Sequence, residues 1–516
     1  MRKRIWMVLV FVTAGIVLAQ RDTVAAAEEA GREGPAENAG KDANSSILGE
    51  IVVTGSHIRG AQPVGNQLLT FDREALQATG IPSVAQVLHT LPQNFGGGPS
   101  EDTRVGLEAS QNTARSTTVN LRGLGATATL VLINGRRVAP AGTQGAFVDL
   151  SSIPLSAVER IDVLPDGASA IYGSDAVGGV VNVVLRRDFE GAETSARYGG
   201  ATEGDARTVV LGQTLGGEWS SGHALLNYEH YRRDAVPASA RTQSASSDLR
   251  ALGGANFGNT FNNPGTIFIG AQRYAIPAGQ DGTNLTPADF TAGTTNFGNL
   301  NEGLDLFAEH ERDTVFVTGG QQLGSSVRLF ADAMAGRRTT FFRQPGTPQN
   351  LLVPVSNAFY VHPTGGSGPV RIAYNFYDDL GPRTADLTVD SYYTAMGLQV
   401  DVSQRWRVIA QGGYALEKVE QIQHGAIRQQ ALALALADPN PATAFNPFGD
   451  GSFTNANTLA ALTASTQFLS DSYVASANVT ADGTVPCPVT RITSASGWTS
   501  LVRARICSPS TSFIIR

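Results

Sequence analysis

Three glycine-rich stretches have the residue types and spacing that chemistry can use. Gly123-Leu124-Gly125-Ala126-Thr127-Ala128 fits a G-x-G-x-x-A pattern behind a strand. A dinucleotide site needs a helix next, so that its N-terminal amides face the pyrophosphate; the residues that follow read as another strand. The run from Gly167 to Gly179 has no Lys-Ser/Thr pair to hold a phosphate. Gly366-Ser367-Gly368 lacks the strand–elbow–helix setting that exposes a nucleophilic serine. Seven histidines are scattered, and Cys487 and Cys507 are the only cysteines. Two thiols without neighbouring histidines do not make a metal framework, although they could pair after export. No catalytic group, metal site or cofactor is expected, and the chain is not read as an enzyme.

A different chemistry is legible in Glu50-Ile51-Val52-Val53-Thr54-Gly55, a short β-prone segment behind a linker rich in Ala, Gly, Glu and Asn. Such a peptide suits addition to the open edge of another protein's sheet, where main-chain hydrogen bonds supply affinity. It serves equally well as the first strand of the next domain, and the residues alone leave both readings open. Upstream, Arg2, Lys3 and Arg4 precede a short apolar run from Ile5 to Leu18, with Val17 and Ala19 at cleavage spacing. That is a secretory signal, too short to span a bilayer. No later run approaches eighteen apolar residues, so any membrane crossing must use strands.

The elements that would position these groups fall into two textures. From Gln67 to Asp188, helical and strand patterns alternate. Asp72 caps a helix through Glu74-Ala75-Leu76, and Ser83 to Leu91 forms a second helix between Pro82 and Pro92. Strands are expected at Thr118 to Gly123, Ala128 to Ile133, Glu159 to Leu164 and Val180 to Leu185. Asn134-Gly135 supplies a hairpin turn. Beyond Ala192 the alternation is of period two. Ala224, Leu226 and Tyr228 oppose Asn227 and Glu229; Val327, Leu329, Ala331 and Ala333 oppose Arg328 and Asp332. Arg371 to Tyr377, Arg405 to Gln411 and Tyr473 to Val479 repeat the pattern. Long strands with one apolar and one polar face fit a membrane barrel with a wet lumen, with a soluble sandwich as the rival. Asp234 to Arg312 and Gln421 to Leu469 read as long external loops. Composition agrees with β structure: 57 glycines, 16% charged residues and four methionines. A net charge of −7 without a basic stripe argues against a nucleic-acid partner.

Taken together, these residues resemble the TonB-dependent outer-membrane receptors. The specific stretches are Glu50 to Gly55, Val119-Asn120-Leu121-Arg122-Gly123, Leu132-Ile133-Asn134-Gly135-Arg136, and Val158 to Leu164. The last continues through Gly167 to Gly173 (with Tyr172) and Ala176 to Asn182, by way of Gly178 and Gly179. The resemblance implies an α+β plug domain inside an antiparallel transmembrane β-barrel of about 22 strands, and energy-dependent uptake of a ferric siderophore, cofactor or carbohydrate. It implies capture of Glu50 to Gly55 by TonB with its inner-membrane energising complex, a surround of outer-membrane lipid, and a small-molecule ligand. It also carries over Arg122 and Arg160 as plug arginines that latch onto barrel-wall glutamates, beside motif positions such as Glu159. In place of a basic residue and Gly-Pro, Leu164-Pro165-Asp166-Gly167 follows the Glu159-Arg160 strand, a local departure.

The expected organisation is a signal peptide at 1–19, a disordered linker at 20–49, a TonB box at 50–55, a plug at 56–190, barrel strands at 191–485 and an atypical tail at 486–516. About eight or nine strand patterns follow Ala192, too few for closure, which an edge in lipid demands. The expectation is therefore an incomplete barrel, from a truncated or frame-shifted product or from a partial sequence. Two rivals stand beside active uptake: a passive porin or adhesin, and a non-functional receptor fragment.

Overall fold

The computed structural model describes residues 67–95, 99–102, 112, 114–141, 145, 147–202, 206–483 and 513–515. The signal peptide, the linker, Glu50 to Gly55, and both cysteines lie outside the described residues.

The first unit is built on a five-stranded sheet of β1 (Leu69–Asp72), β2 (Thr129–Ile133), β3 (Arg136–Arg137), β4 (Val158–Leu164) and β5 (Gly179–Leu185), in the order β1-β4-β5-β2-β3. Only β2 and β5 run parallel. Asp72 accepts from Ala75 N at 2.8 Å and starts α1 (Arg73–Ala78); Ser83 does the same for α2 (Val84–His89), accepting from Gln86 N. Asn134 and Gly135 both have positive φ, 51° and 74°, the geometry of the tight turn their dipeptide favours. At Gly179 a Cβ would stand 2.5 Å from the Leu164 carbonyl oxygen and 2.6 Å from Leu121, so only glycine lets β5 pack there. Thr118 to Gly123 makes no ladder beyond one bridge from Leu121 to Asn94. Two of its amides bond side chains, Asn120 N to Asn94 at 2.9 Å and Leu121 N to Thr129 at 3.0 Å, and Thr118 N and Arg122 N bond the loop carbonyls of Pro99 and Gln93.

The second unit is one antiparallel sheet. Its strands are β6 (Gly191–Gly199), β7 (Thr208–Trp219), β8 (Gly222–Arg233), β9 (Glu309–Leu323), β10 (Val327–Gln344), β11 (Arg383–Ser403), β12 (Trp406–Ile427), β13 (Thr463–Gly483) and β14 (Phe513–Ile515). They pair in chain order, each with the next. Among the described residues β6 pairs only with β7, so the wall does not close on itself. Short turns join the strands at one end; at the other, excursions run across 234–308, 345–382 and 428–462.

One face of this wall takes the first unit. Leu225, Phe316, Met334, Tyr393, Ala395 and Ala415 join Val119, Leu150, Ile153 and Ile161 in a continuous buried core. The opposite face is apolar and open: Leu226, Val315, Val317, Leu329, Leu398 and Val402 are exposed, and Met396 is 69% exposed. Tyr228, Tyr392 and Tyr473 lie in one register row with Val315, at the upper edge of this face, while Trp219 and Trp406 flank the short turns. From Tyr392 to Val402 a strand rises about 33 Å, or about 25 Å once tilted by about 40°. The next row up alternates in charge, Asp313, Arg337, Asp390, Lys418 and Asp471, with Arg337 paired to Asp390 at 2.6 and 2.8 Å. A band of that height between aromatic rows is the outer surface of a membrane barrel. No described helix is long and apolar enough to cross a bilayer.

The three excursions fold together as a cap. Strands Thr266–Ile269, Gln272–Ala275, Thr291–Ala292, Pro348–Val353 and Val370–Asn375 form a sheet, joined by helices Gln429–Ala437 and Ala456–Leu462. Ile267, Val353, Tyr374, Phe376, Phe445 and Phe448 fill its core. This corrects the reading of Arg371 to Tyr377 as a wall strand. Ile372, Tyr374 and Phe376 do share a buried face, but it looks into the cap. The wall strands also reach further than expected, with β9 starting at Glu309, β12 running to Ile427 and β13 starting at Thr463.

Candidate functional site

The seam between the first unit and the wall is where polar chemistry concentrates. Alternation along a strand points every second residue of β8, β9, β10 and β12 at the inner unit, and several of those residues are charged. At the centre is Asp332 of β10, with 1% of its side chain exposed. It accepts from Arg136 Nη1 at 2.8 Å, Arg187 Nη2 at 3.0 Å, Thr318 Oγ1 at 2.7 Å and the Asn134 amide at 3.4 Å. The Phe330 ring lies beneath both guanidinium groups, at 5.3 and 6.0 Å. Arg136 also donates to Gln411 at 2.9 Å.

Toward the excursions, wall arginines replace wall acids. Arg338, buried at 2% exposure, donates to Asp149 at 2.9 Å and to the backbone oxygens of Ala114 and Arg115 at 2.7 and 3.1 Å. Asp149 in turn accepts from Thr117 N and Ser151 N. Arg312 donates to Ser151 O and to Glu229, and Glu229 accepts from Ser156 N at 2.8 Å. Arg233 holds Glu101 at 2.7 Å and Asp102 at 2.9 Å. Burial would raise the Glu101 carboxyl, but Arg233, with His310 3.3 Å away, holds it down to about 2. Toward β6, Arg73 and Arg186 share Glu193, Arg186 at 3.0 Å. Fully buried charges persist only when paired and hydrogen-bonded, so each cluster resists separation of the two units.

The Arg338–Asp149 contact gives a direct test of coupling. Arg338→Met and Asp149→Asn are each expected to destabilise the chain in urea unfolding. In a double-mutant cycle their coupling should be about 1–3 kcal/mol. Strict additivity would mean that the pair holds nothing.

The motif residues are divided among these features. Asn134, Gly135 and Asn182 come together: Asn134 Oδ1 accepts from Leu185 N at 2.8 Å, and Asn182 Oδ1 from Gly135 N at 2.8 Å. Gly178 N bonds Ala128 O at 2.7 Å beside Gly179. Gly167 precedes and Gly173 caps a one-turn helix, Ser169–Tyr172, where Tyr172 O accepts from Arg137. Gly123 turns against the Phe95 ring, and Glu159 is the exposed residue of a β-bulge. Arg122 is exposed, and Arg160 bonds Asp162 of its own strand at 3.3 Å. Sequence reasoning missed Asp332, Arg338, Arg312, Glu229, Arg233 and Arg187. For the five wall residues the one signal was a charge at an inward position of an alternating strand; Arg187 lies between β5 and β6, outside any strand. On the outward face His230, Glu311 and Asp313 bring ligand atoms within 4.8 Å of one another, in the charged row above the tyrosines.

Comparison with known proteins places names beside this geometry. Residues 62–180 match the family model of the TonB-dependent receptor plug domain. Among solved structures, a ferric enterobactin receptor of Pseudomonas aeruginosa aligns at 14% identity over 81% of this chain and 46% of its own, with a TM-score of 0.42. The ferric preacinetobactin receptor of Acinetobacter baumannii aligns at 12%, over 81% and 57%, with a TM-score of 0.37. The ferric-catecholate import receptor of E. coli K12 aligns at 13%, over 84% and 69%, with a TM-score of 0.28. The chain thus spans about half the length of the first two. Its inner unit matches the TonB-dependent receptor plug model over 62–180, and the antiparallel strands that follow form a wall that is open among the described residues.

Proposed function

We propose that this plug and wall belong to an outer-membrane receptor that imports a scarce small ligand against its gradient. The signal peptide at 1–19 directs export, the plug occupies 56–190 and the wall 191–485. TonB, driven by its inner-membrane complex, captures Glu50 to Gly55 and pulls. Outer-membrane lipid covers the apolar band, and the cap faces outside. Ferric siderophores are the first ligand class to try, with cofactors and carbohydrates next; the solved receptors named above are titled for ferric enterobactin, ferric preacinetobactin and ferric catecholates. No step in this reading is enzymatic.

The observation that supports it most directly is the seam. A plug held by buried ion pairs obstructs a passive pore, yet charged contacts can be re-solvated when strained. A device that must be opened by work has that character. The test is energetic. In cells carrying the chain, dissipating the inner-membrane gradient is expected to stop accumulation of ligand while surface binding persists. Accumulation that continues unchanged would establish a passive porin instead.

A further inference from the structure

On the outward face of the wall, three side chains able to ligate a metal meet across β8 and β9. His230 stands directly opposite Asp313, and Glu311 lies two residues further along β9 on the same face. Their ligand atoms are all within 4.8 Å of one another, and they form the one such group of three among the described residues. His230 and Asp313 lie in the charged row above the tyrosines, with Glu311 one row higher, and all three are half-buried. Asp313 Oδ1 accepts from Tyr228 Oη at 2.7 Å and lies 3.0 Å from His230 Nδ1. An imidazole and a carboxylate are therefore already held at ligand spacing.

A second observation concerns the neighbouring cations. Arg232 stands directly opposite Glu311, where opposite charges ordinarily pair across a ladder. It turns instead to Glu309 at 3.3 Å and to Asp234 at 3.4 Å. Glu311 is left with no hydrogen bond or ion pair from its side chain among the described residues. Arg337, opposite Asp313 on β10, is held by both oxygens of Asp390. Both arginines of this part of the ladder are committed elsewhere, while the Glu311 carboxylate stays beside His230 and Asp313.

We propose that His230, Glu311 and Asp313 bind a zinc ion. Zinc takes imidazole nitrogen at about 2.0–2.1 Å and carboxylate oxygen at about 2.0–2.2 Å, and three protein ligands leave a fourth position for water. Ligands of such a tetrahedron stand about 3.3–3.6 Å apart. The His230–Asp313 contact is close to that spacing, and the longer Glu311 side chain can rotate to complete it. Tyr228 supplies the outer hydrogen bond that orients a ligating carboxylate. Calcium and magnesium favour six or more oxygens and gain little from an imidazole. The ion fastens β8 to β9 on the face turned away from the seam, so the site does not depend on what passes the plug.

The test is calorimetric titration of the untagged full chain in detergent micelles, stripped with EDTA and dialysed, with zinc alone. Saturable binding is expected, weaker with manganese and not displaced by equal calcium or magnesium. His230→Ala and Glu311→Gln should each weaken zinc binding at least about tenfold. His424→Ala removes an exposed histidine whose one carboxylate partner is Asp386, and should change it less than twofold. No binding, displacement by calcium or magnesium, unchanged affinity in folded His230 and Glu311 variants, or an equal loss in His424→Ala would overturn the site. Should the variants misfold, diethyl pyrocarbonate labelling of the unaltered chain decides. Zinc is expected to slow modification of His230 several-fold relative to EDTA and to leave His424 unchanged; protection of both alike, or of neither, rejects the proposal.

Discussion

Replacing Asp332 by alanine is expected to cost about 3–5 kcal/mol, the penalty for leaving a buried charge without its partner. The case rests on what remains behind. Arg136 and Arg187 keep their guanidinium groups in a seam from which water is excluded, with side chains only 5% and 12% exposed. Of its described partners, Arg136 retains Gln411 and Tyr393, which are neutral. Thr318 and the Asn134 amide also lose an acceptor. Because Asp332 is almost fully buried, solvent screening does not discount this figure. The contrast is Arg337 with Asp390, a bidentate pair on the outward face with the arginine 54% exposed. Its loss should cost about 0.2–1 kcal/mol. The measurement is urea unfolding of purified variants in micelles, with proteolysis reporting release of the plug. Asp332→Asn, which keeps acceptor oxygen but no charge, should fall between. If Asp332→Ala and Arg337→Ala proved equally mild, the plug would be seated by apolar contact alone.

How much of this was legible beforehand depends on how local the signal was. Asn134-Gly135 announced its turn because two adjacent residues specify it, and both adopt positive φ. Val180 to Leu185 read as a buried strand because every position is apolar or, at Asn182, occupied by a turn-bonding amide. The faces of the wall strands were equally plain: Asn227 and Glu229 are buried against the plug while Leu226 is exposed. What alternation reports, however, is that one face is covered, not what covers it. Arg371 to Tyr377 satisfied the same rule and belongs to the cap. Thr118 to Leu121 read as a strand since it is extended, but two of its donors go to Asn94 and Thr129 side chains rather than to a neighbouring strand. The seam was legible only as polarity. Asp332 and Arg136 are 196 positions apart, and no local pattern pairs residues at that separation. The resemblance supplied arginines at 122 and 160; the pairs described across the seam include those of Arg136, Arg187, Arg338 and Arg233.

Deleting Glu50 to Gly55 is expected to reduce uptake to the level of cells lacking the chain, at least tenfold, with ligand binding at the surface changed less than twofold. The separation of effects follows from position. The segment precedes β1 by about 14 residues, up to about 45 Å of chain when fully extended. What it offers is backbone. Six residues without a proline, and with Ile51, Val52 and Val53 at the centre, can add to an open sheet edge through a ladder of main-chain hydrogen bonds. Tension along the tether then arrives first at β1, an edge strand with four paired residues, well before the buried pairs at Asp332 or Arg338. A sharper variant separates lost pairing from lost length. Val52→Pro removes one donor and bars the strand from a central ladder, leaving five residues and the tether intact. It should abolish uptake as fully as the deletion. Normal uptake with Val52→Pro would show that no strand is added there, and loss of binding in either variant would place the segment in the ligand site rather than on the pulling line.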